Sequence, residues 1–303
     1  DALAANYSLF LLRKCSYSLR CKKFFFPIRV LYWRIIMSGI QVHVKSSGIW
    51  QMTSTVIVSG GSCLVVDPGY FPRELEEIVR SIPYGATVEA LVLTHSHWDH
   101  VVGHGMFPDV PVYVSPVLAR SAAENSEPAR KAMAEAREFD SRWYIERPWG
   151  YEWPEKVRGL DDEGWFNIGD LDLQAFLLPG HAPDCLAIRA GSHLLVGDYL
   201  SPCEIPFVED VAAYRRTLKR LLVMMEADVD AVVPGHGRPL SDAEALRIAR
   251  EDLRYLNAIA CCAESGDADA AARISLPRAT EVPGMADHHR DNCRNAGLPM
   301  TAG

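Results

Sequence analysis

No CxxC pair and no regular cysteine spacing occurs among the eight cysteines of this 303-residue chain. That removes the thiolate zinc cluster and the disulfide-stapled scaffold as organising principles. Cys15, Cys21, Cys63, Cys185, Cys203, Cys261, Cys262 and Cys293 read instead as reduced, structural thiols of a cytoplasmic protein. Basic charge is also scarce. A net charge of −8 and an isoelectric point near 5.7 argue against an extended nucleic-acid surface. The most apolar stretch, Phe24 to Ile36, is broken by Pro27, Arg29 and Arg34. It is too short and too charged to span a membrane as a helix, which needs about 20 residues. A secretory signal would place its basic residues before the apolar run and end in small residues, and neither feature is convincing. No internal repeat and no phosphate-binding glycine loop is found.

Histidine and aspartate are present in a telling pattern. The run Glu89-Ala90-Leu91-Val92-Leu93-Thr94 reads as a buried strand, and His95-Ser96-His97-Trp98-Asp99-His100 follows it directly. In extended backbone, positions two apart point the same way, so His95 and His97 can grip one metal ion. The chain then turns, and Asp99 and His100 can face a second. Imidazole and carboxylate suit zinc, and also iron or manganese. Three further candidates each follow an apolar run and a glycine: His181 after Phe176 to Gly180, Asp198 after Leu194 to Gly197, and His236 after Ala231 to Gly235. Strand, glycine turn and ligand, repeated, is how a sheet presents side chains along one edge.

HxHxDH followed by Pro-Gly-His, Gly-Asp and Pro-Gly-His resembles the metallo-β-lactamase fold superfamily in its glyoxalase II-like hydrolase branch. The resemblance covers roughly Gly39 to Asn257. It implies an α/β fold, a four-layer αββα sandwich with a dinuclear metal site at the sheet edge. It further implies that His95, His97 and His181 hold one of two Zn2+ ions, that Asp99, His100 and His236 hold the other, and that Asp198 bridges them. Val65-Val66-Asp67-Pro68-Gly69 resembles the family's strand ending in an aspartate. Asp67 would then either orient a ligand histidine or cap a turn. The implied reaction is attack of a metal-bridging hydroxide on an ester, thioester, lactone or related acyl bond, with Asp99 orienting the nucleophile. Alternatives are β-lactam hydrolysis and the single-iron chemistry of persulfide dioxygenases. Asp198 stands where many lactamases carry cysteine or serine, and Ser201 where quorum-signal lactonases carry tyrosine. Arg247, Arg250 and Arg254 would be a glutathione-binding patch or an ordinary wet helix face.

The remaining sequence divides into three parts. Residues 1–36 carry seven Lys or Arg against one acid, a charge of +6 beside −14 for the rest. They read as an extra N-terminal segment of upstream, cloning-derived or targeting sequence outside the catalytic domain, which is set at 37–265, with 266–303 as a C-terminal tail. Four of the seven tryptophans crowd into 141–166. Trp143, Tyr144, Trp149 and Trp153, with Tyr199 beyond Asp198, are candidates to bind an apolar substrate group; the other reading of this segment is a small aromatic core under a loop. Arg147 is read as surface charge or a polar anchor. Val117 to Phe139 is expected as one helix, Val211 to Met225 as another, and Ser241 as the cap of a long third. His288 and His289 are distant in sequence from the ligand set and read as non-ligands. The expected partner is a small-molecule substrate, with no nucleic acid and no membrane, and a homodimer is an open expectation.

Overall fold

The structure, a computed structural model, describes residues 39–278 and 283–300. The reading of residues 1–36 therefore lies outside the described residues. Strand patterning sets the architecture. Along β2 (Thr53–Ser59) every residue is buried, yet neighbours face opposite ways. Ile57 packs with residues of the second sheet, while Val56 and Val58 pack with helices. A strand covered on both faces loses polar alternation and reads as a continuous apolar run.

β2 and β3 (Ser62–Val66) form a hairpin, closed by Gly60, whose φ of +59° suits a glycine. With β1 (Gln41–Ser46), β4 (Thr87–Val92), β5 (Val112–Val114) and β6 (Val157–Gly159) they make a six-stranded sheet in chain order. The first three strands are antiparallel, and β3 through β6 are parallel. The second six-stranded sheet contains β7 (Trp165–Ile168), β8 (Leu171–Leu177), β9 (Leu186–Ala190), β10 (His193–Gly197), β11 (Ala231–Pro234) and β12 (Leu240–Ser241), again in chain order. Its pairs are antiparallel except β10 with β11.

Ile57, Leu64, Val66 and Val92 of one sheet meet Leu171, Leu173, Ile188 and Leu195 of the other in a central core. Outside the first sheet lie α1 (Pro72–Ser81), α3 (Pro116–Ala123) and α4 (Glu127–Trp143), contributing Ile78, Leu118 and Met133. Outside the second lie α5 (Val211–Met225) and α6 (Asp242–Ser265), contributing Leu218, Leu221, Ile248 and Leu256. The order helix, sheet, sheet, helix is the expected four-layer sandwich. A short α2 (Trp98–Val101) follows β4.

One expectation needs correction. The helix foreseen from Val117 to Phe139 is two helices, broken where Asn125 adopts φ +45° and Pro128 opens α4. Proline tolerates the first helical turn but disfavours helical backbone before it. The stretch beyond Ser265 carries two helices. α7 (Ala268–Ala272) and α8 (Met285–Asn295) pack on the second outer layer, burying Ala271, Met285, Cys293 and Leu298. His289 bonds Tyr255 Oη and the Ala271 carbonyl. The caps of α5 and α6 follow the sequence: Asp210 accepts from Ala213 N–H, and Ser241 from Glu244 N–H.

Candidate metal centre

Strand direction explains why distant residues converge. β4 ends just before His95 and His97, while Asp99 and His100 lie in α2. β8, β10 and β11 run in one direction. Their carboxyl ends deliver His181, Asp198 and His236 to the same edge between the sheets. The turns need their glycines. A Cβ at Gly180 (φ +140°) would meet the Tyr214 backbone at 2.4 Å, and one at Gly235 would meet Asp198 Oδ1 at 2.0 Å.

The seven side chains form one cluster, within which two groups can each hold a metal ion. His181 Nε2 lies 3.2 Å from His95 Nε2 and 2.9 Å from His97 Nδ1. His100 Nε2 lies 3.3 Å from His236 Nε2, and Asp99 Oδ2 is 3.6 and 3.5 Å from those two nitrogens. Asp198 reaches both groups. Its Oδ2 is 3.5 Å from His95 and 3.3 Å from His181, and its Oδ1 is 3.2 Å from His100. All seven are buried or half-buried.

The outer ring nitrogens decide the tautomers. His181 Nδ1 donates to the Phe207 carbonyl at 2.9 Å, and His236 Nδ1 to the Trp50 carbonyl at 2.9 Å. His100 Nδ1 donates to Asp67 Oδ2 at 2.9 Å. His95 Nδ1 lies 3.0 Å from Thr94 Oγ1, whose own proton goes to Asp67 Oδ2. Each Nε2 therefore turns a lone pair inward, at distances where bare lone pairs repel. His100 sits close to Asp198 Oδ1, yet that oxygen is buried with no hydrogen-bond donor, because the His100 proton is already committed to Asp67. A cation satisfies every one of these atoms, so the donor set fits a metal.

Electrostatics agree. Burial opposes charge on His100 and His236, but Asp198 and the surrounding carboxylates prevail. They raise His100 well above its usual range and His236 to about 10. Burial likewise opposes ionisation of Asp198, and the surrounding imidazoles hold it well below the carboxylate range. The site demands positive charge beside its carboxylates, and divalent ions would supply it while leaving the imidazoles neutral. Asp67 accepts from Thr94 N–H at 2.8 Å and Thr94 Oγ1 at 2.7 Å as well as from His100. It therefore sits behind a ligand-facing histidine.

Beside the cluster opens a cavity of about 420 Å³. Trp50, Trp98 and Phe207 give it apolar walls, and Glu204 and His288 add polar ones, with Lys131 and Glu135 at α4. The aromatics expected here are elsewhere. Trp143 and Tyr144 point to solvent, 66% and 92% exposed. Trp149 Nε1 donates to the Val102 carbonyl, and Trp153 Nε1 to the Ala129 carbonyl. Tyr199 is fully buried; its hydroxyl donates to the Leu178 carbonyl and accepts from His181 N–H, so it braces the turn that carries His181. Arg147 is neither surface charge nor anchor. It is buried in an ion pair with Asp140, donates to the Tyr70 carbonyl and lies over the Tyr70 ring.

Sequence reasoning missed Trp50 and Phe207, and placed the loop from Tyr199 to Glu204 near the metals without singling out Glu204. Trp50 was visible as an aromatic in a loop between two strands. It and Gln51 have φ of +46° and +54°, strain of the kind found beside functional sites. Burial pushes the Glu204 carboxyl up to about 7.

A family model described as the metallo-beta-lactamase superfamily matches residues 48–236. A probable metallo-hydrolase, YqgX of Bacillus subtilis, is 24% identical over 201 residues, covering 62% of this chain and 85% of that protein. A hydroxyacylglutathione hydrolase of Saccharophagus degradans is 40% identical over 70 residues, 22% of this chain and 24% of that protein. The chain thus spans about a quarter of that relative. Among solved structures, the inverting sec-alkylsulfatase Pisa1 from Pseudomonas sp. superposes with a TM-score of 0.63 at 16% identity. That match covers 86% of this chain and 49% of the sulfatase, a likeness of fold alone.

Proposed function

Because the chain belongs to the metallo-β-lactamase superfamily and is a metallohydrolase, we propose that it works with two divalent cations and hydrolyses an ester, thioester, lactone or related acyl bond. His95, His97 and His181 would hold one ion and Asp99, His100 and His236 the other, with Asp198 within reach of both groups. Zinc is the first choice for these donors, with iron and manganese as alternatives. Bound ions of this kind lower the pKa of water from 15.7 toward about 7 and polarise a carbonyl oxygen.

The chain's own residues supply the rest. Asp99 is buried within 3.6 Å of two ring nitrogens, placed to accept the proton of the attacking water. Asp198 sets the separation of the two groups. Asp67, Thr94 and the Trp50 and Phe207 carbonyls fix the tautomers of His100, His95, His236 and His181, so these four turn no proton inward. Trp50, Trp98 and Phe207 line the cavity beside the reacting centre. The observation that carries the reading is the set of inward lone pairs around an Asp198 oxygen that no donor reaches. The short stretch shared with the hydroxyacylglutathione hydrolase supports thioesters among the bonds to be tried.

Elemental analysis of the purified protein, followed by a panel of esters, thioesters, lactones, β-lactams and phosphodiesters, tests the proposal. Two zinc ions per chain and chelator-sensitive acyl hydrolysis are expected. One iron per chain, with oxygen consumed on a persulfide, would overturn it. Asp198→Ala is expected to lose at least one ion and most turnover.

A further inference from the structure

The cavity beside the metal cluster has an unusual balance of charge. Glu204 forms part of its wall and is only 6% exposed. The Ser201 hydroxyl donates to its carboxyl, which also feels His236 and the carboxylates of Asp198 and Asp99. The cation at the rim, Lys131, lies 3.9 Å from Glu135 one helical turn along α4, and both side chains are exposed. Glu209 adds a further acid beside the mouth, 4.0 Å from His97 Nε2. The walls around Glu204 are aromatic. Trp50 and Trp98 meet edge to face at 5.5 Å, and the Phe207 ring lies 3.8 Å from that of His288.

Aromatic faces with a buried carboxylate are the chemistry that recognises an organic cation. The lining residues include no arginine, and their lysine, Lys131, sits at the exposed rim beside Glu135. Arg247, one of the three arginines set aside as an anion patch, is engaged by Glu251 on the exposed face of α6, and none of the three lines the cavity. We propose that the cavity selects acyl substrates carrying an amine or quaternary ammonium group, seated against Glu204 and the rings of Trp50, Trp98 and Phe207. The inference rests on the hydrolase reading above and names its substrate class. It also makes this chain a poor hydrolase for glutathione thioesters, whose carboxylates would face Glu204 and Glu209.

A matched series of thioesters with one short acyl chain tests it on the metal-loaded full chain. The leaving groups are 2-(trimethylammonio)ethanethiol, its neutral isostere 3,3-dimethylbutanethiol, and 3-mercaptopropionate. The expected result is kcat/KM for the cationic thioester at least tenfold above the neutral one, mostly through KM, with the carboxylate slowest. Glu204→Gln should bring the cationic-to-neutral ratio toward one. Equal rates for cationic and neutral thioesters, or a preference for the carboxylate, would overturn the substrate class while leaving the hydrolase standing. Failure to cleave any of the three, with two ions bound and other acyl bonds also intact, would overturn both.

Discussion

Asp67 shows how much one side chain behind the metal cluster controls. Its Oδ2 accepts from both His100 Nδ1 and Thr94 Oγ1, so it sets two tautomers, directly at His100 and through Thr94 at His95. Asp67→Asn would turn an N–H toward His100 if the amide kept its bond to Thr94 N–H. The imidazole would then move its proton to Nε2, where the metal belongs. A metal affinity weaker by about 10–100-fold is expected, read by competition with a chromophoric chelator. Unchanged affinity would mean that Asp67 only shapes the turn. The ligand-type residues were legible because each sits just past an apolar strand. Their helpers were not. Two of the outer acceptors are main-chain carbonyls, of Trp50 and Phe207, and a carbonyl has no signature in sequence.

At the scale of elements, the aromatic segment after α4 is a satellite core. Asp140 accepts from Tyr70 Oη at 2.6 Å and Tyr151 Oη at 2.8 Å as well as pairing with Arg147. Tyr70 and Phe139 stack edge to face at 5.4 Å. Asp140→Ala leaves Arg147 buried and unpaired, and a loss of about 3–5 kcal/mol is expected. Calorimetry would show this as a melting temperature lower by roughly 6–20 °C at about 2–4 °C per kcal/mol. A change under 2 °C would sink the account. Trp143→Ser and Tyr144→Ser, by contrast, should alter neither kcat/KM nor stability by more than about 0.5 kcal/mol. A fall in either would restore these residues as substrate contacts. Composition could show that aromatics cluster in 141–166 but not which way they face, because that depends on Asp140, a residue of the preceding helix. Strands and caps were legible at closer range, since alternation, Gly60 and Ser241 act within a few residues. The break at Asn125 was legible in Ser126 and Pro128, but the helix formers on both sides outweighed that signal.

At the scale of the molecule, one sheet supplies His95 to His100, and the other supplies His181, Asp198 and His236. Bound ions would therefore cross-link the two halves of the sandwich. Removing them with a chelator should lower stability by about 2.7 kcal/mol for a site loaded at a hundred times its dissociation constant. A melting temperature indifferent to chelation would mean that the cluster is held by protein contacts alone. The C-terminal stretch joins the same unit: Arg278 pairs with Glu251 and Asp252 and donates to the Ser201 and Glu204 carbonyls, holding the loop that presents Glu204. Such a strap was illegible in sequence, because it acts across more than 70 residues. The Trp50 loop, finally, divides two tasks within one residue. Its carbonyl serves His236 and its ring serves the cavity, so replacing the side chain leaves the carbonyl's bond in place. Substrate preference can then drift over generations at this position while the hydrolytic machinery is inherited intact.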